Sequence, residues 1–142
     1  MSEKGRFREK HPYGAAADPE IARAVQRKVL NGQVTCADAE SVAGDLLKPL
    51  PEVGVVLDIL DMALTSCQLG LFGYAPQKSI VEPAKFVRQE IESAINARLI
   101  NGRLSCAAAW EIAAALGVPK IKVSAACEAL KIKIKPCQLG AF

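Results

Sequence analysis

Aromatic and imidazole side chains are scarce in this chain. One His, one Trp, two Tyr and four Phe are spread through 142 residues. The single histidine, His11, stands in a polar amino-terminal stretch, so no Ser–His–Asp arrangement on an ordered scaffold is available. No glycine-rich phosphate loop is present. No apolar run reaches the roughly 18 to 20 residues of a membrane span. MSEKGRFREKHPYG has no apolar signal core, which leads us to expect a cytoplasmic protein without a membrane partner. Five cysteines, an odd number, argue against a purely disulfide framework and fit thiols in a reducing compartment.

Hydrophobic residues are not scarce: they make up 51% of the chain, mostly Ala, Val, Ile and Leu. Small and branched side chains at that level predict packed helices. The arrangement is set by a duplication. Residues 21–72 lie over 91–142 without a gap, and 17 of the 52 aligned positions are identical. NGQVTC at 31–36 becomes NGRLSC at 101–106, and CQLGLF at 67–72 becomes CQLGAF at 137–142. The expected organisation is a disordered polar tail over 1–17, a first repeat over 18–72, a linker over 73–82 and a second repeat over 83–142.

Each repeat reads as three helices and a strand. In the first, Asp18 caps and Pro19 opens a helix to about Leu30, and Asn31-Gly32 stops it. Thr35 caps a second helix, Cys36 to Leu47, and a third follows from Glu52 to about Leu64. In the second copy a helix begins near Pro83 and carries Phe86, Ile91, Ala94, Ile95 and Leu99 at helical spacing. Ser105 caps Cys106 to Leu116, Gly117-Val118-Pro119 breaks it, and a third helix runs from about Pro119 to Leu130. KIKIK at 131–135 alternates charged and apolar residues and predicts a strand. The CQLG segments read as closing strands, with Leu69 and Phe72 covering the helices and Gly70 permitting a close approach.

Ile112, Ala113, Leu116, Gly117 and Val118, followed by Val123 and Ala126, resemble the helix-turn-helix superfamily. A small residue lets two short helices cross closely and glycine takes the sharp turn. With the preceding helix and following strand, each copy is similar to a winged helix or a close trihelical relative. The whole chain also resembles small bacterial proteins with CQLG-type endings, a likeness that implies no activity. The fold class implied is mainly α with short strands, two winged-helix-like repeats forming a pseudo-dimer.

The resemblance implies a non-enzymatic binding protein without a cofactor, with DNA or a protein as partner and homo-oligomers allowed. In the second copy Lys120, Ile121, Lys122, Ser124, Ala125 and Glu128 are expected to face outward, and Lys131, Lys133 and Lys135 to line one side of the strand. That set suits phosphate better than base edges. In the first copy Pro49, Leu50, Pro51, Glu52, Gly54, Val55 and Asp58 occupy the outward positions, an apolar and acidic surface suited to a protein interface through Leu50 and Val55. Residues 91–142 carry seven Lys/Arg and three Asp/Glu, a net +4; residues 21–72 carry four and six, a net −2. Trp110 is expected to be a partly exposed packing anchor. The alternative is an accessory subunit of a redox enzyme complex, with thiol or metal chemistry at the repeated Cys36, Cys67, Cys106 and Cys137. Cys127, opposite Leu57, reads as a buried core thiol.

Overall fold

A computed structural model describes residues 17–74 and 79–141. The polar tail with His11 and the middle of the expected linker lie outside the described residues. Six α-helices and two pairs of short strands are present among those residues. The chain contacts form two units, divided between Cys67 and Gln68.

In the first unit, α1 (Pro19–Lys28) is capped by Asp18, whose carboxylate accepts from the Glu20 and Ile21 amides at 2.9 and 3.2 Å. The Ile21 amide is the main cause holding the Asp18 carboxyl below its ordinary range. After α1 the chain makes a two-residue turn. Leu30 and Gln33 exchange both backbone hydrogen bonds at 2.9 Å, across Asn31 and Gly32 with φ of 53° and 75°. Two positive φ values define the type I′ turn that Asn-Gly favours. The dipeptide therefore forms a turn into β1 (Gln33–Thr35) rather than simply ending a helix. Thr35 caps α2 (Cys36–Leu46) through the Asp38 amide at 3.1 Å. α3 (Leu50–Ile59) follows three residues later, and β2 (Ala63–Thr65) pairs with β1 in parallel, Gln33 opposite Ala63 and Thr35 opposite Thr65.

The second unit repeats this order. It contains α4 (Gln89–Ala97), an Asn101-Gly102 turn with the same φ pair, and β3 (Arg103–Leu104). α5 (Cys106–Leu116) is capped by Ser105 through the Ala108 amide at 3.0 Å, and α6 (Lys120–Ala129) leads to β4 (Lys133–Ile134), parallel to β3. A parallel pair spans the two intervening helices, so the lysine strand pairs with β3 and forms no hairpin among the described residues.

Several expected boundaries shift, each for a local reason. α3 starts at Leu50 and stops at Ile59, because Asp61 adopts φ of 56°. The Met62 and Asp61 amides then bond back to the carbonyls of Leu57 and Asp58, closing a Schellman motif. α6 ends identically at Lys131. α4 starts at Gln89, not near Pro83; the preceding segment is non-helical, and Ala84 donates to the Ala125 carbonyl at 3.0 Å. Phe86, assigned to the helix's apolar face, is consequently 79% exposed. The CQLG segments form turns, not strands.

The core of each unit is built from matching positions. Ile21, Val25, Val34, Ala39, Val42, Ala43 and Val53 are buried in the first unit, and their counterparts seventy residues on are buried in the second.

The turn between the two inner helices distinguishes the copies. α2 ends on Leu47 at φ of 54°, where α5 ends on Gly117 at 65°. Leu47 is 91% exposed, so its side chain gains little from burial while its Cβ disfavours this conformation. Leu47→Gly is expected to stabilise the protein by about 0.5–1 kcal/mol, and Gly117→Ala to destabilise it by a similar amount. Urea unfolding checks both; a destabilised Leu47→Gly protein contradicts the account.

Candidate nucleic-acid interface

The residues expected to meet DNA separate into two groups. Lys131, Lys133 and Lys135 are all exposed, while Ile134 between them is buried. The strand expected over 131–135 is reduced to Lys133–Ile134, because Lys131 takes the left-handed conformation that closes α6; the three lysines are nonetheless all solvent-exposed. Lys122, on the first turn of α6, is also exposed. Lys120 and Ser124 are not presented in this way. Ser124 is fully buried, contrary to the outward position expected for it. Its hydroxyl donates to the Leu69 carbonyl at 2.6 Å, with the Ile121 carbonyl at 3.1 Å as a second acceptor. Lys120 is half-buried; its ammonium donates to Gln68 Oε1 at 2.7 Å and lies 4.1 Å from the centre of the Trp110 ring.

The group covering α6 is the end of the first sequence repeat. Leu69 is fully buried. Gly70 has φ of 78°, and a Cβ there would come within 2.9 Å of Ile121 Cδ1 and 3.2 Å of Ile80 Cγ1. The positive φ strains any other residue there, and a Cβ would force the Ile121 side chain to shift. The Gly70 carbonyl accepts from the Ile80 amide at 2.8 Å and from the Ser79 hydroxyl at 3.1 Å. The close approach expected of Gly70 is present; its partner, Ile121, was not foreseen. The available signal was Ser124, a hydroxyl where the first copy has Gly54.

Beside this contact, Trp110, Gly117, Pro119, Lys120, Ile121 and Gln68 line an open groove of about 600 Å³. Trp110 is half-buried as expected, and its Nε1–H is buried without a hydrogen-bond partner. In the first unit Leu50 and Val55 are half-buried. Gly54 and Asp58, placed outward by the sequence pattern, are buried, Asp58 at 8% exposure.

Cys36, Cys67, Cys106 and Cys127 are buried, Cys137 is half-buried, and none of the five is in a disulfide. In the second unit the Cys106 amide donates to the Pro136 carbonyl at 3.0 Å and the Gln138 side-chain amide approaches Cys106 Sγ at 3.6 Å. Among the described residues no three His, Cys, Asp or Glu side chains converge as a metal site would require. Burial, with Glu128 adding a smaller effect, pushes the Cys127 thiol up to about 12. Comparison with protein-family models, curated proteins and solved structures gives no match.

Two outcomes follow from this geometry. Ser124→Ala leaves the buried Leu69 carbonyl without its donor and is expected to cost about 1–3 kcal/mol of stability in urea unfolding; a loss below about 0.5 kcal/mol contradicts the role given to that bond. Under native conditions near pH 8, a thiol alkylating reagent is expected to modify Cys137 well before Cys127, because the reacting species is the thiolate. Mass-spectrometric mapping of the first site reads this out, and early labelling of Cys127 argues against its burial.

Proposed function

We propose that this chain is a non-enzymatic binding protein of two helix-turn-helix-like repeats, whose second repeat grips the phosphate backbone of nucleic acid. The observation that carries the reading is the exposed lysine edge of Lys131, Lys133 and Lys135, with Lys122 as a fourth free-standing cation. Ammonium groups on flexible stems suit phosphate as point charges, without geometric demand on sequence. The net charge of +4 in residues 91–142 favours the same ligand. Base-specific readout has less support, since the α6 face that would enter a groove is covered by Gln68–Gly70.

Binding to random-sequence duplex DNA is expected to weaken steeply with salt. Four phosphate contacts give a log–log slope of about −3 to −4. Replacing Lys131, Lys133 and Lys135 together by Ala should reduce the slope to about −1 and weaken binding to all sequences alike. Fluorescence anisotropy over a salt series measures both. A flat salt response, or a triple variant with the wild-type slope, sinks the reading.

A further inference from the structure

The contact between Gln68–Gly70 and α6 has features that suit a reversible cover. Lys120 is held by an uncharged amide oxygen and an aromatic face. A phosphate oxygen offers the same ammonium an anionic acceptor, an ion pair in place of a bond to a neutral oxygen. The segment's other anchor is the bond from Ser124 to a main-chain carbonyl, with Gly70 fitted against Ile121. These anchoring side chains belong to the second copy alone. The first copy has Leu50, Pro51 and Gly54 where the second has Lys120, Ile121 and Ser124, so it offers no side-chain donor at either polar position. The cover is thus built onto the repeat that carries the positive charge.

We propose that Gln68–Gly70 is an autoinhibitory strap on α6. In place, it withholds Lys120 from phosphate. Displaced, it adds Lys120 to the surface formed by Lys122, Lys131, Lys133 and Lys135. The proposal rests on the phosphate-binding reading above and concerns how that surface is regulated. The ligand class is unchanged: a nucleic-acid backbone, now contacted by five cations instead of four.

Gly70→Val tests the strap, because a β-branched residue is strained at φ of 78° and its Cβ would press on Ile121 Cδ1 and Ile80 Cγ1, while the lysines are untouched. Gln68→Ala, which removes the Oε1 acceptor of Lys120, is the milder second variant. Both are titrated with random duplex DNA over a salt series, with circular dichroism verifying the fold. The expected result is several-fold tighter binding and a log–log slope steeper than wild type by about one, for the one added cation. Lys120→Ala in the same background should remove the gain. Hydrogen exchange gives an independent readout: saturating duplex should speed exchange of the Ile80 amide, which is bonded to Gly70. If wild type binds and the folded variants match it in affinity and slope, the strap is overturned and the β4 reading stands. If a variant binds and wild type does not, the strap stands and the β4 lysines alone are insufficient. If none binds, both fail. Should Gly70→Val not fold, Gln68→Ala decides alone.

Discussion

Each unit depends on closing a small aliphatic core with almost no aromatic side chains available. The core is formed where the first helix lays two branched residues across the inner helix pair, Ile21 and Val25 in one unit and Ile91 and Ile95 in the other. Close-packed interiors tolerate exchange of side chains when total volume is kept. The two copies show that trade. Val25, Val34 and Val42 become the larger Ile95, Leu104 and Ile112, while Val56 and Leu57 on the third helix become the smaller Ala126 and Cys127. Methylenes added on the first helix, the strand and the second helix are offset by those lost on the third. The small residues Ala39/Ala109 and Ala43/Ala113 are the same in both units, because they stand where two helix backbones come close.

The backbone is constrained as tightly as the core. Three left-handed points recur in each unit: the Asn-Gly turn, the end of the second helix and the end of the third. They redirect the chain within three residues each time, which lets three short helices and a parallel strand pair fit into about fifty residues. The sequence meets two of these with residues that tolerate positive φ poorly, Leu47 and Lys131. A Schellman closure at each site satisfies the terminal carbonyls and accounts for the tolerated strain.

With the same frame in both copies, function is sought where they differ. The differences concentrate on the third helix and the strand after it. There the second copy gains Lys120, Lys122, Ser124, Lys131, Lys133 and Lys135, and the first has Leu50, Glu52, Gly54, Asp61, Ala63 and Thr65. The strand lysines are displayed, whereas Lys120 and Ser124 are turned to holding Gln68–Gly70. One stretch of divergent sequence therefore serves two ends, a cationic edge and a seat for the chain itself. Cys127 belongs to neither: its thiol is buried and strongly disfavours ionisation.

The sequence by itself determined the duplication, the helix caps at Asp18, Thr35 and Ser105, the bounds of α5 and the basic character of the second repeat. These are legible because they are local: a cap needs one side chain and an amide two or three residues on, and a lysine alternating with isoleucine declares its two faces. Tertiary structure decided the rest. β2 has no strand signal in MALT and exists because β1 pairs with it across two helices. Phe86 fits a helical stripe, yet the segment before Gln89 is non-helical, with Ala84 bonded to α6. CQLG looks like a strand in isolation and becomes a turn seated on α6, since Ser124, Ile121 and Ile80 arrive from ten to fifty-five residues away. A burial pattern can assign a residue to a face; only the folded chain decides what covers that face, because the covering residues are distant in sequence and leave no periodic trace.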